Sequence, residues 1–92
     1  MFVTAKKSTV DGNEYYLQRK DRFRGNTTAD TEWRVIDSVG RVVDSSVKGS
    51  ARYALFKNGK VAGFLTKSEL KDFAGFETQK ITWSKSEFQP KN

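Results

Sequence analysis

The sequence contains no cysteine and no histidine, and it has a single proline. Without cysteine there are no disulfides, no thiolate nucleophile and none of the common structural zinc sites, which need thiolates or thiolates with imidazoles. Without histidine, catalysis would depend on Asp, Glu, Lys, Tyr or Ser with a strongly shifted pKa or an activating neighbour. No pair of carboxylates stands at a spacing typical of an active site. We therefore expect a protein that is not an enzyme and that carries no cofactor and no metal.

Long apolar runs are also missing. No apolar stretch reaches 18 residues, and the first seven residues lack the basic-then-apolar order of a secretory signal. Hydrophobic residues make up 36% of the chain and aromatic residues 13%, so a small core would depend heavily on Phe, Trp and Tyr. A chain of 92 residues is short for two domains. We expect one cytoplasmic domain over residues 1–92, with no membrane contact.

Acidic residues are scarce in one part of the chain. The 17 Lys and Arg outnumber the 11 Asp and Glu, which gives a net charge of +6. Residues 1–46 hold eight basic and seven acidic side chains, whereas residues 47–92 hold nine and four. No acid lies between Asp44 and Glu69, a gap that contains five cations: Lys48, Arg52, Lys57, Lys60 and Lys67. This asymmetry favours a polyanionic partner.

The first third of the chain predicts a hairpin followed by a loop. Residues 2–7 and 14–20 are typical of strands, joined by a turn-rich segment at residues 8–13. Alternation in the second strand predicts a buried face with Tyr15 and Leu17 and a solvated face with Tyr16 and Gln18. Residues 21–31 mix charges, glycine, asparagine and threonines, which predicts a long mobile connection.

Two further hairpins follow. Residues 32–36 and 41–44 predict the second, and residues 51–57 and 60–65 predict the third. The third is joined by Asn58-Gly59, the strongest short hairpin signal in the sequence, because a type I′ turn needs positive φ at both central positions.

The last third predicts a helix, a strand and a tail. Thr66 and Glu69 have the spacing of a capping box, and the apolar residues after them predict a short α-helix at about residues 67–74. Residues 78–83 predict a final strand, and residues 84–92 a flexible polar tail. We therefore expect an α+β fold, with one twisted, mainly antiparallel sheet of six or seven strands and one helix. Exposed strand edges favour a homodimer.

The hairpin at residues 53–65, followed by Thr66-Lys67-Ser68-Glu69-Leu70, resembles the hairpin-then-helix arrangement of small bacteriophage accessory proteins. Such proteins often modulate host nucleic-acid enzymes, restriction systems or toxin systems, and the resemblance implies a role of that kind. It carries over no catalytic or binding residue.

Two groups of residues are candidates for binding an anion. The first is the five cations of the acid-free gap, where Lys57, Lys60 and Lys67 lie near a turn and a helix start. The second is Arg22, Phe23 and Arg24, where we expect the arginines to bind phosphates and the ring to stack on a base. Alternatively, these arginines are a solvated strand end and Phe23 folds back over the core.

The composition and these candidates favour a nucleic-acid-binding module with a preference for single-stranded RNA or DNA. A second hypothesis is a small inhibitor or adaptor that docks its basic face on an acidic surface of another protein, such as a host enzyme. The sequence leaves both hypotheses open.

Overall fold

The computed structural model describes residues 1–88, with side chains at all of these except residues 28 and 29. Within this range the chain forms eight β-strands and one short 3₁₀ helix. The elements in chain order are β1 (Val3–Val10), β2 (Asn13–Arg24), β3 (Thr27–Asp37), β4 (Val42–Asp44), β5 (Tyr53–Lys57), β6 (Lys60–Leu65), the 3₁₀ helix (Lys67–Phe73), β7 (Glu77–Lys80) and β8 (Ser84–Lys85).

The strands form two open antiparallel sheets, not the single sheet that the sequence predicted. The five-stranded sheet has the order β4-β3-β2-β1-β8, and the three-stranded sheet has the order β6-β5-β7. The carboxylate of Asp44 at the edge of the first sheet accepts a hydrogen bond from the Phe64 N–H of the second at 2.9 Å. A side chain therefore joins the two sheets along this side, where their strands do not pair.

The core lies between the sheets, and aromatic rings supply three of its ten buried residues, with Trp33 and Trp83 packed against them. The Tyr15 and Phe64 rings meet edge to face at 5.6 Å, and Trp83 packs on Phe64 at 5.5 Å. The indole N–H of Trp83 donates to the Ala51 carbonyl at 2.8 Å, so this large ring is both packed and hydrogen-bonded. The buried cluster draws on both sheets and on the segments that connect them: Val10, Tyr15, Leu17, Val35, Val47, Ala51, Ala54, Phe56, Phe64 and Ile81.

Two tight turns have the backbone that a type I′ hairpin requires. Asn58 and Gly59 have φ values of 53° and 76°, which confirms the predicted third hairpin. Asp11 and Gly12 have φ values of 50° and 80°. The first turn is therefore only two residues long, and β1 and β2 extend into the segment at residues 8–13 that the sequence assigned to a turn.

The prediction of a long mobile loop at residues 21–31 is wrong. Strands β2 and β3 continue through it as a hairpin that turns at Gly25, which has a φ of 65°, with Arg24 opposite Thr27. β1 pairs with β2 only as far as Arg19, and β4 pairs with β3 only at residues 35–36. Residues 20–32 therefore form a two-stranded ribbon that extends beyond the rest of the sheet; we call this segment the ribbon.

The segment predicted as an α-helix at residues 67–74 is a 3₁₀ helix of seven residues, Lys67–Phe73. The described fold is therefore mostly β, instead of the α+β fold with one α-helix that we expected. The capping box is present, with the Thr66 N–H donating to the Glu69 carboxylate at 2.8 Å. Poorer hydrogen-bond geometry keeps 3₁₀ helices short. The predicted final strand ends at Lys80, and Ser84 and Lys85 of the predicted tail pair with β1. The end of that tail, residues 89–92, lies outside the described residues.

The outer face of the five-stranded sheet, which faces away from the core, is less solvated than predicted. Tyr15 and Leu17 are buried as expected, but Tyr16 and Gln18 on the opposite face are only 4% and 3% exposed. The Phe88 ring packs on Tyr16 with centroids 5.0 Å apart. Gln18 donates to the Thr4 hydroxyl at 3.2 Å and accepts from Arg34 at 2.8 Å. Alternation alone cannot predict this covering, because it comes from the two chain ends and a neighbouring strand.

Candidate functional site

The molecule has two ends, set by the direction of its strands. At the ribbon end, β2 and β3 project as the ribbon, and the first residues of β5 and the last of β6 pair at Tyr53 and Leu65. At the turn end, the Asp11-Gly12 turn, residues 37–41 and the Asn58-Gly59 turn surround a cleft of about 430 Å³. Each predicted site residue can be assigned to one of these two ends.

The predicted site residues do not form one surface. Lys57 and Lys60 lie opposite each other at the turn end, on either side of Asn58-Gly59. Arg52 lies five positions before Lys57, which along a strand is about 16 Å away. The acid-free gap is therefore divided between the two ends. The predicted residues at the ribbon end are Arg22, Phe23, Arg24, Lys48, Arg52 and Lys67.

The segment that carries Lys48 lies against the base of the ribbon. Residues 45–49 form one wall of a groove whose other wall is residues 31–33 of β3. Gly49 is so close to the Trp33 ring that a Cβ at this position would lie 2.7 Å from the indole. A larger residue would force the indole or this segment to move, so glycine permits the close contact that brings Lys48 beside the ribbon.

Phe23 is an exposed aromatic ring near the tip of the ribbon. It is 65% exposed, so the interpretation in which it folds back over the core is wrong. Arg22 and Arg24 flank it in the chain and are also exposed. Arg22 forms an ion pair with Glu32, whereas no ion pair found among the described residues involves Arg24. Among the residues whose side chains are described, the Phe23 ring and the Arg24 guanidinium at the ribbon tip therefore have no partner.

Cross-strand polar contacts maintain the ribbon although it has few apolar residues. The Thr31 hydroxyl donates to Asp21 at 2.9 Å, and Arg19 lies 3.4 Å from the same carboxylate. Arg22 and Glu32 form a diagonal pair on the other face. Such cross-strand pairs contribute about 0.2–1 kcal/mol each. The acids of the ribbon are thus partly neutralised by its own cations.

The helix start does not offer the anion site that the sequence suggested. The Thr66 N–H donates to the Glu69 carboxylate, which also lies 3.7 Å from the Lys48 ammonium. The Thr66 N–H hydrogen bond is the main cause of the lowered pKa of Glu69, and the Lys48 charge contributes to it. An internal carboxylate therefore takes the place of an external anion. Lys67 remains exposed and outside the ion pairs found among the described residues.

The cleft at the turn end contains charges of both signs. Arg41 and Lys60 line it together with Asp11 and Asp37. Asp37 already accepts hydrogen bonds from the backbone N–H groups of residues 39 and 41, at 3.1 and 2.9 Å. Burial, and then the charges of Asp37 and Asp11, raise the pKa of Tyr15, which lines the same cleft. This balance of charges is a poor match for a polyanion.

One cation and aromatic cluster was missed by the sequence analysis. On the outer face of the five-stranded sheet, the Arg34 guanidinium lies 4.1 Å from the centroid of Phe2, and the Lys20 ammonium lies 5.8 Å from it. Phe2 faces Lys20 because β1 contains an irregularity between Thr4 and Lys6 that shifts its register against β2. No signal in the sequence marks this shift, so the cluster could not be found from strand alternation.

Comparison with protein-family models, curated proteins and solved structures found no match for this chain. Within residues 1–88, no helix has the length and hydropathy needed to cross a membrane. Over the same residues, no group of three or more acidic side chains is placed to hold a metal ion.

Proposed function

We propose that this protein is a non-catalytic nucleic-acid-binding module that binds single-stranded RNA or DNA with its ribbon end. The observation that carries the proposal is Phe23, whose ring is 65% exposed near the tip of the ribbon with an arginine on each side. An apolar ring held in water at the tip of a projecting hairpin gains nothing from the core. Stacking on an unpaired base gives it a partner, with about 1–3 kcal/mol per stacked base.

The surrounding cations supply the electrostatic part of the interaction. Arg24 and Lys67 are outside the ion pairs found among the described residues, and Arg52 is also exposed. Lys48 is 65% exposed at its side chain although it lies near Glu69. These residues contact phosphates, which every nucleic acid presents whatever its sequence. We therefore expect binding with strong salt dependence and little sequence preference.

A single strand fits this end better than a duplex does. Stacking requires the face of an unpaired base, and in a duplex the base faces are already stacked on one another. An exposed ring that can stack on an unpaired base thus supports a preference for a single strand.

The test is fluorescence anisotropy with labelled 12-nucleotide single strands of RNA and DNA, and with a duplex of the same length. Single strands should bind at low salt, with a log–log salt slope near −3.5 if about five phosphates are contacted. Phe23→Ala should weaken single-strand binding by about 10-fold, because one stacked base is lost. Phe76→Ala is the matched control, since Phe76 is also an exposed ring, 46% accessible, but lies at the turn end.

The proposal fails if no oligonucleotide binds at low salt, or if Phe23→Ala and Phe76→Ala bind equally well. In the first case, docking of the basic residues on an acidic protein surface becomes the better hypothesis. Retention of a stoichiometric protein partner in a pull-down from nuclease-treated lysate would support that hypothesis.

A further inference from the structure

We infer that the outer face of the five-stranded sheet carries a second base-stacking site, centred on Phe2, which receives a base of the same single strand. The inference rests on the proposed function and extends it from the ribbon tip to the sheet. The site consists of Phe2, Gln18, Lys20 and Arg34, and we call it the Phe2 platform.

The Phe2 platform is a fixed arrangement. Arg34 stacks on Phe2 with 4.1 Å between the guanidinium carbon and the ring centroid. Its Nε donates at 2.8 Å to Gln18, a side chain that is 3% exposed and that also donates to Thr4. A buried amide thus helps to hold the guanidinium over the ring. Bases stack on aromatic rings and on arginine planes alike, and both surfaces are present here.

The charges of the Phe2 platform lack an anion. Lys20 and Arg34 approach the same ring, and neither takes part in an ion pair found among the described residues. Glu32 lies opposite Lys20 in the strand register, but its carboxylate is paired with Arg22. Two like charges held beside one ring repel each other, and a phosphate placed between them would relieve that repulsion.

The Phe2 platform and the ribbon tip lie on one path. Lys20, Arg22 and Arg24 alternate along β2, so their side chains share the outer face of the sheet and of the ribbon. From Lys20 to Arg24 the distance along the strand is about 13 Å. Phe23 alternates with these cations and so lies on the other face of the ribbon. A single strand with one base on Phe2 would therefore pass beside the cations and turn around the ribbon tip to place another base on Phe23.

The test is the same anisotropy assay with Phe2 variants and single strands of 12 nucleotides. Phe2→Leu preserves an apolar side chain but removes the ring, and it should weaken binding by about 5- to 10-fold. Phe2→Trp preserves the ring and should bind as well as the unchanged protein. Phe76→Ala is again the control, because Phe76 also has a cation nearby, the Lys57 ammonium at 5.5 Å from its ring centroid. Urea unfolding of each variant verifies that the fold is intact.

A second measurement separates the two sites. If both take bases of one strand, the losses caused by Phe2→Leu and Phe23→Ala should multiply in the double variant. If Phe2→Leu binds as well as the unchanged protein while Phe23→Ala binds weakly, the Phe2 platform is refuted and the proposed function stands. If the unchanged protein binds no oligonucleotide, both the proposed function and the Phe2 platform are refuted.

Discussion

The two ends of the molecule carry their cations in very different surroundings. At the turn end, Arg41 and Lys60 share a cleft with Asp11 and Asp37, and Lys57 lies over Phe76. At the ribbon end, the cations surround a projecting hairpin whose aromatic ring has no partner in the described part of the chain. On the proposed function, binding depends on which charges remain unpaired in space, and not on how many are adjacent in sequence.

The ends also differ in how they are held. The turn end is closed by two type I′ turns, and core residues such as Tyr15 and Phe56 line its cleft. Beyond Lys20 and Glu32 the ribbon has no third strand, and the described side chains of residues 22–30 are all exposed. A substitution that strains the backbone at the turn end should therefore destabilise the core, whereas one in the ribbon should destabilise only the ribbon.

The largest expected effect separates the ends by charge reversal. Two double variants change the net charge equally. One carries Arg24→Glu and Lys67→Glu at the ribbon end, and the other carries Lys57→Glu and Lys60→Glu at the turn end. We expect the ribbon-end pair to weaken binding of a 12-nucleotide single strand by about 100-fold and to reduce the salt slope by about 1.4, for two lost phosphate contacts. The turn-end pair should weaken binding by less than about 3-fold, through long-range charge alone.

Anisotropy titrations at several salt concentrations measure both quantities. Equal losses from the two pairs would show that net charge governs binding and would remove the distinction between the ends. A larger loss from the turn-end pair would move the site to the cleft.

The second prediction concerns the base of the ribbon. Gly49→Ala places a Cβ 2.7 Å from the Trp33 ring, so the indole or the segment at residues 45–49 must move. We expect the free energy of unfolding to fall by about 1–3 kcal/mol, as in other overpacked sites. Gly75→Ala is the control, because nothing lies within 4 Å of its Cβ. Urea unfolding followed by tryptophan fluorescence measures the change, and an unaltered midpoint for Gly49→Ala would contradict the close contact.

Much of the fold could be predicted from local sequence signals. The Asn58-Gly59 turn and the burial of Tyr15 and Leu17 follow from dipeptide conformation and from strand alternation. The ribbon could not be predicted, because Asp, Arg, Gly, Asn and Thr are typical of loops and its strands are stabilised by pairing with each other. The helix start was located correctly by Thr66 and Glu69, but its 3₁₀ geometry was not predicted.

The candidate site was predicted less well, for reasons of spatial proximity. The gap without acids is not acid-free in the structure, because Glu69 reaches Lys48 from outside it. Phe23 and its flanking arginines were identified from sequence, and their exposure required the structure. Phe2 was missed because its position opposite Lys20 depends on the irregularity in β1 near Ala5. Pairing register and contacts between distant segments decide such features, and neither is a local property.

The third prediction compares the same substitution in the two ends. Gly25 and Gly59 both have positive φ and open space around the Cβ position, so alanine introduces backbone strain alone. Gly59→Ala should lower the free energy of unfolding by about 1 kcal/mol, since the turn is continuous with the core strands. Gly25→Ala should leave it nearly unchanged and instead speed amide hydrogen exchange in the ribbon. Equal losses of global stability would show that the ribbon unfolds together with the core.

The smallest expected effects concern the pH dependence of stability. A residue at the ribbon end should affect stability at acid pH, and a residue at the turn end should affect it at alkaline pH. The lowered pKa of Glu69 means that its stabilising contribution is present above its ordinary value of 4.5 and is lost as the pH falls through the folded value. The raised pKa of Tyr15 means that its contribution is complete below pH 10.0 and is lost as the pH rises above it, because the folded state disfavours the phenolate.

Glu69→Gln at the ribbon end should therefore flatten the acid side of the stability curve and leave the alkaline side unchanged. Tyr15→Phe at the turn end should do the reverse, because the ring remains in the core and only the ionisable hydroxyl is removed. Urea midpoints measured from pH 3 to pH 11 would show both effects in one series. If Glu69→Gln leaves the acid side as steep as before, the Thr66 and Lys48 contacts do not stabilise the charged carboxylate, and Lys48 is then as free as Lys67 to bind phosphate.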